Sequence, residues 1–408
     1  MSHSSIPGYT IQDNSTIRML EIPYSELKIK RKIILLTSNK LEDKMIFCNG
    51  LYQNILNFYD MFEAMGFVPL ILFDDKPDPS ETRDFIKHYR FVLPETVIKS
   101  ELPIYALIEI GMTIQPEFRK FLKDFGTKII KLFLGNILNI DIEISTKMPE
   151  VYFPHHINGH YNLILSSPHY NQNCSYGAAI NNAPYKDSII APYIWNDKIL
   201  KLALANESRP TTWDNSVDWH KRNIVIMEPN LGFQKCFYVP LLIAATFARN
   251  NPQWLGRIKI YNFQRILRNN NFETNIFPLL GIDKTKIELC SRLPIVDIMA
   301  DNRDAIFVHH QINNEYNYMF FELMSQGFPI IHNVSSWKNY AYYYSTQAII
   351  DKELPQALLY KVIREHKNVL SIYKGQYESL LWSHSIYNPE LQRIWSELLN
   401  NSILDCVL

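Results

Sequence analysis

KIILLTSNKLEDKMIFCNGLYQNILNFYDMFEAMGFVPLILF, residues 32–73, is the stretch from which the rest of the chain can be read. Lys32–Thr37 is a continuous apolar run of strand length. Asn49-Gly50 breaks the chain, and Leu51, Ile55, Phe58, Tyr59 and Phe62 then recur at helical spacing up to Gly66. Val68–Phe73 is a second apolar run, closed by the polar Asp74-Asp75-Lys76-Pro77. Strand, helix and strand at this spacing make a β-α-β unit, and so a parallel sheet.

The alternation continues outward. Residues 80–90 read as a helix, Tyr105–Ile110 as a strand, Pro116–Phe125 as a helix opened by its proline, and Lys128–Phe133, Tyr161–Ser166 and Ile189–Ile194 as strands. Residues 205–222 are polar and aperiodic and read as a linker. A second alternation follows, with strands at Asn223–Met227, Arg257–Tyr261, Ala305–His309 and Pro329–His332. Its helices are Phe237–Phe247, Tyr318–Gln326 and Leu354–Glu365, and residues 375–402 give terminal helices, the last opened by Pro389. The expected class is α/β: two Rossmann-like domains facing each other across a cleft. The expected limits are 1–204 and 205–379, with 380–408 packing back on the first domain.

Composition removes several functions. There are only 13 glycines, the closest pair being Gly126 and Gly135, so neither G-x-G-x-x-G nor G-x-x-x-x-G-K-[ST] can be written. A phosphate site must then rest on single glycines at helix N-termini. Lys+Arg and Asp+Glu are 41 each, which gives no electrostatic case for nucleic acid. The five cysteines are scattered, and a start of MSHSSIPGYTIQDNST lacks a signal-peptide core. With no apolar stretch of spanning length, the expectation is a cytoplasmic protein without a transmembrane segment.

Ligands of such sheets bind at the C-terminal strand ends, so the loops there carry the candidates. After the first strand come Gly50, at a helix start, and Asn54. After the first strand of domain two stands Glu228-Pro-Asn-Leu-Gly-Phe-Gln-Lys, in which Asn230, Gly232 and Lys235 are the candidates. A lysine in a first helical turn opposes the helix dipole, unless a bound diphosphate reverses the sign. The densest loop is His309-His310-Gln-Ile-Asn-Asn-Glu-Tyr-Asn-Tyr318, leading into a helix that carries Glu322 among Met319, Phe320, Phe321, Leu323 and Met324. A carboxylate in that company needs a partner; a ribose diol suits it, against the alternative of an outward-facing glutamate. Asn314, Glu315, Asn317 and Tyr318 belong to the same loop. His169, in Ser-Ser-Pro-His-Tyr, follows a strand. His155, His156 and His160 do not match a metal site in their spacing, and no D-x-D occurs. No metal is expected.

The ordered set NGLYQN, E-P-N-L-G-F-Q-K and H-Q-x-x-N-x-x-N-Y-x-x-x-E-L-x-x-x-G-x-P-x-I-H-N resembles a poorly characterised family of GT-B glycosyltransferase-like proteins related to the retaining family-four transferases. Ile108-Glu-Ile-Gly-Met, Leu134-Gly-Asn136 and Ala191-Pro-Tyr-Ile-Trp-Asn196 add to the resemblance, which spans roughly residues 32–345. It implies a glycosyltransferase (hexosyl- or pentosyl-) that uses no cofactor, holds a UDP- or GDP-sugar donor as substrate in domain two and a glycan or other acceptor in domain one, and needs no metal. It matches Glu322 to the acid that contacts the donor ribose, and Lys235 to the base that neutralises the donor phosphate. Asn314 stands where the family has its first acid, with Glu315 one place off; the arginine that commonly accompanies the lysine is absent. Retention needs no strong base, whereas inversion would call on His169 or His310. A catalytically degenerate sugar- or partner-binding module and a nucleotide-sugar epimerase are the alternatives.

Overall fold

In the computed structural model, residues 33–39, 41–73, 78–100, 102–147, 161–265, 272–346 and 354–400 are described. The lead-in before residue 33, the polar residues 74–77, His155, His156, His160 and Cys406 lie outside them. Strand β1 (Ile33–Thr37) is buried at every residue, as a parallel strand covered on both faces must be. Helix α1 (Gly50–Ala64) follows, with the Asn49 side chain accepting from Leu51 N. It stops where Gly66 takes φ +84°, a left-handed conformation that glycine adopts without strain. Strand β2 (Val68–Leu72) then lies parallel to β1, with Ile33 opposite Val68.

The first sheet adds β3 (Phe91–Val92), β4 (Ile104–Glu109), β5 (Lys128–Phe133), β6 (Leu163–Ser166) and β7 (Ser188–Ile190) in the order β3-β2-β1-β4-β5-β6-β7, every pairing parallel. Between its strands run α2 (Pro94–Ser100), α3 (Pro116–Asp124), α4 (Ile137–Lys147) and α5 (Asn173–Ile180). The second sheet is β8 (Ile224–Ile226), β9 (Ile258–Ile260), β10 (Ile287–Leu289), β11 (Ile306–Val308), β12 (Ile330–His332) and β13 (Tyr342–Tyr343), ordered β10-β9-β8-β11-β12-β13 and again parallel. Its helices are α6 (Lys198–Asn206), α7 (Tyr238–Asn250), α8 (Ile295–Asp301), α9 (Tyr318–Ser325), α10 (Leu354–Glu365) and α11 (Leu370–His384); α12 (Pro389–Asn400) closes the described chain.

The chain forms two compact units, one ending at Asn196 and resuming at His384, the other Asp197–Ser383. In the first, Trp395 of α12 meets the rings of Phe58 and Phe62 of α1 edge-on, at 4.9 and 6.0 Å between centroids. The units divide upstream of the expected limit at 204. The polar stretch 205–222, inside the expected second domain, is anchored within the second unit. Trp213 Nε1 donates to the Ala305 carbonyl at 3.0 Å, buried Arg222 lies 4.1 Å over the Trp213 ring, and Arg209 pairs with Glu207, Asp297 and Asp301.

The expected helix over 80–90 is corrected to two short 3-10 turns, Pro79–Glu81 and Ile86–His88. Asp43 is the cause: its carboxylate accepts from the backbone N–H of Asp84 (2.7 Å), Phe85 (3.2 Å) and Ile86 (3.0 Å), which removes donors a helix would need.

Within the first unit, Glu109 at the end of β4 is fully buried and accepts from Arg119 Nη2 (2.8 Å), Ile114 N (2.9 Å) and the Tyr161 hydroxyl, with Lys131 Nζ at 3.8 Å. Burial pulls the Lys131 ammonium down and Glu109 pushes it back up. One carboxylate thus compensates two buried cations. Glu109→Ala is expected to cost about 3–5 kcal/mol by stranding both; an unfolding free energy from urea titration within about 1 kcal/mol of wild type would show the cluster to be dispensable.

Candidate functional site

In each sheet the strand order reverses beside its first strand, at β1/β4 and at β8/β11, and the crevice beyond such a switch is where open α/β sheets bind ligands. At the second switch point, the chain leaving β8 is held by Asn262, whose Nδ2 donates to the Met227 and Glu228 carbonyls at 3.1 Å each. Asn230 takes φ +56° and closes the loop: its Oδ1 accepts from Phe237 N (2.8 Å), and its own N–H donates to the Lys235 carbonyl (3.1 Å). Gly232 lies half-buried near the tip of that loop.

The loop after β11 is tied to this one. Lys235 and Gln311 form an antiparallel backbone bridge, and Ile312 N donates to the Gln234 carbonyl at 2.9 Å. Buried Glu228 accepts from His309 Nδ1 and, at 3.2 Å, from His310 N. Gln311 N donates to Asn333 Oδ1 (2.8 Å), and Asn333 Nδ2 donates back to the Gln311 carbonyl (2.7 Å), so the turn after β12 joins the same lattice. Asn314 donates to Gln311 Oε1 at 2.7 Å.

Three histidines sit in this unit as neutral rings. His310 Nδ1 is 2.8 Å from Tyr344 Oη, whose hydroxyl donates to the His309 carbonyl; burial, then His309, brings its pKa down to about 4. His332 Nε2 donates to the Tyr340 carbonyl (2.9 Å) while Nδ1 accepts from Val334 N (3.1 Å), and burial brings it to about 3. His366 Nε2 donates to the Gly327 carbonyl, and burial brings it to about 4. Lys235 is different. Its ammonium makes no hydrogen bond or ion pair among the described residues; burial pulls its pKa down and the charge of Glu228 pushes it up.

Of the twelve expected residues, nine fall in the second unit and only Gly50, Asn54 and His169 in the first. Glu322 is buried on α9, 4% exposed, which removes the outward-facing alternative. Two candidates turn out to hold the loop. Asn317 caps α9 by accepting from Met319 N, and both Glu315 oxygens are taken, by Ser335 Oγ (2.9 Å) and Ser336 N (2.8 Å). Tyr318 is buried in the first turn of α9. In the first unit, Gly50 opens α1 and its carbonyl accepts from Asn54 Nδ2 (2.7 Å), while His169 Nδ1 lies 2.5 Å from Ser167 Oγ. Glu228, His309, Asn333 and Tyr344 were not picked out as candidates. Glu228 stood in a quoted motif, but its partner lies 81 positions on (309 − 228) and no local spacing announces it. Among the described residues no three metal-ligating side chains converge, and no helix is long and apolar enough to cross a membrane.

Residues 35–399 match a family described as "Protein of unknown function (DUF2827)". The chain belongs to the DUF2827 family. No curated protein matches it. Solved structures do. A glycosyltransferase from Rickettsia africae ESF-5 superposes with a TM-score of 0.55 at 12% identity, covering 93% of this chain and 100% of that one. Anabaena Alr3699/HepE in complex with UDP and glucose gives 0.54 at 10%, covering 91% and 100%. An alpha-glucosyltransferase in complex with UDP and a 13-mer DNA containing a HMU base gives 0.53 at 11%, covering 90% and 99%. The DUF2827 chain therefore has the α/β fold of GT-B glycosyltransferases.

The neutral histidines set a pH dependence. A histidine whose folded pKa lies below its unfolded value of about 6.5 costs nothing above that value. Below it, the unfolded chain takes up a proton that the folded ring refuses. Stability should fall from about pH 6.5 towards pH 4, by about 1.4 kcal/mol per pH unit for each such ring. Urea midpoints at pH 7, 6 and 5 check this; a flat profile, or one that His332→Gln leaves equally steep, would count against it.

Proposed function

We propose that this DUF2827 protein is a glycosyltransferase that transfers a sugar from a UDP- or GDP-sugar, with the donor held by the second unit. The observation that carries the reading is the bridge between Lys235 and Gln311 at the β8/β11 switch point. It joins the backbone of partly buried Lys235, whose ammonium makes no hydrogen bond or ion pair among the described residues, to the loop that leads to buried Glu322. Fold neighbours bound to UDP support the donor class.

In this reading the leaving nucleoside diphosphate develops negative charge that Lys235 and backbone amides of the 230–237 loop stabilise in a dry site, where such interactions are strongest. No metal is required. Glu322 accepts from the ribose hydroxyls, and Asn230 and Gly232 shape the loop. His310, held neutral, presents Nε2 as a hydrogen-bond acceptor to the sugar, and Asn314 stands in for an acid through its amide. Gly50, Asn54 and His169 serve the acceptor in the first unit. Retention is the favoured stereochemistry, since both oxygens of Glu315 are committed and no strong base is needed. That same commitment, with Asn314 in the acid's place, favours the second reading: a sugar-nucleotide-binding module without turnover.

Calorimetry with UDP, GDP and UDP-glucose is the test. Lys235→Ala should weaken UDP binding at least tenfold, about 1.4 kcal/mol, and Glu322→Ala should do likewise, with EDTA without effect. If no nucleotide binds the wild-type protein, the reading fails. If UDP-glucose binds but releases no UDP with any acceptor, the module reading replaces it.

A further inference from the structure

Glu228 and Lys235 are each half-satisfied. Glu228 is 1% exposed, and burying a carboxylate is costly unless hydrogen bonds or an opposite charge compensate it. Its Oε1 has two donors, His309 Nδ1 and the His310 N–H, whereas Oε2 has none. Lys235 is partly buried and makes no hydrogen bond or ion pair among the described residues; burial pulls its pKa down and the charge of Glu228 pushes it up. They lie at the two ends of one loop, and that loop is clamped to the His309–Gln311 turn by a backbone bridge and by the carboxylate itself. The other titratable groups at the junction are His309 and His310 from the end of β11, His332 from β12 and Tyr344 after β13. His310 and His332 are held neutral and Tyr344 is pushed far above its ordinary range, partly by Glu228.

The separation matters. Lys235 forms no ion pair of 4 Å or less with Glu228 among the described residues, so its donors stay available to an incoming anion. A contact pair would have to be broken before that anion could bind. We propose that Glu228 is a positioning residue of the donor site: one buried carboxylate fixes the His309–His310 turn and supplies, at a distance, the counter-charge of Lys235. The proposal rests on the reading of Lys235 as the contact to the donor diphosphate. It also bears on the missing arginine of the resemblance: burial works against the charge of a lone lysine, Glu228 supports it, and a neutral lysine cannot meet a diphosphate.

Glu228→Gln separates the two tasks. Its amide oxygen still accepts from His309 and His310, but the charge is gone. The first measurement uses no ligand: lysines are dimethylated with 13C-formaldehyde, the Lys235 signal is assigned through Lys235→Arg, and its titration is followed by NMR. The Lys235 midpoint should fall by about one pH unit or more in Glu228→Gln and stay near wild type in Glu228→Asp. An unmoved midpoint in Glu228→Gln overturns the proposal. If that variant does not fold, the Glu228→Asp and Glu228→Asn pair repeats the comparison one carbon shorter, and equal midpoints in the pair overturn it. The second measurement is UDP affinity against pH. Its alkaline loss should move to lower pH in Glu228→Gln, and this movement should vanish in a Lys235→Met background; persistence there overturns the link to Lys235. A moved midpoint in a protein that binds no UDP overturns the donor role and leaves the counter-charge standing, which separates the failure of the functional reading from that of the electrostatic one.

Discussion

A parallel strand covered on both faces can carry almost nothing polar, and this constraint decides where chemistry is possible. Ile224–Ile226, Ile306–Val308 and Ile330–His332 are buried at every position. In these three strands polar groups enter at the end: His332 closes β12, and Glu228, His309 and Asn333 follow β8, β11 and β12. β8 and β11 are neighbours at the point where the strand order reverses, and the two loops that leave them are bridged to each other there. The hydrogen bonds from Glu228 to the His309–His310 turn and from Asn333 to Gln311 then hold what the sheet has positioned.

The same constraint explains what could be read from the chain. Long buried strands are runs of Ile, Leu and Val, and β1, β2, β4 and β5 stand out as such; so does α1, whose apolar residues keep helical spacing. The edge strands β3, β10 and β13 are two or three residues long and partly exposed, too short for periodicity to register. The expected helix over 80–90 failed for another reason, a carboxylate 41 residues upstream taking its backbone donors. Past the end of α6, the polar stretch 205–222 is irregular apart from one short turn, and its anchors, Trp213 and Arg222, are single residues whose partners lie elsewhere in the chain.

At the site, residue type was more legible than residue task. A glutamate inside a Met-Phe-Phe-x-Leu-Met helix reads as buried with a partner or facing outward, and it is buried. Glu315 and Asn317 looked equally chemical, yet one braces Ser335 and Ser336 and the other caps a helix. Both tasks depend on side-chain geometry that composition and spacing do not carry. Glu228 is the converse: it looked like the edge of a motif, and it is where the β8 and β11 loops meet.

Scarcity of glycine, which removed the usual phosphate loops, has a structural counterpart in asparagine. Asn230, Asn262 and Asn313 hold φ of +56°, +59° and +49° in or beside the loops of the second unit's site. Asparagine tolerates this region better than most residues, and unlike glycine it brings an amide. Asn230 uses its amide to accept from Phe237 N at the start of α7, and Asn262 uses its own to hold the carbonyls of Met227 and Glu228. A glycine at either place would permit the turn and lose the brace. A site that sets a partly buried lysine and a buried carboxylate at the two ends of one loop, with no ion pair between them, needs loops that bend sharply and stay put, and asparagine meets both requirements where glycine meets only the first.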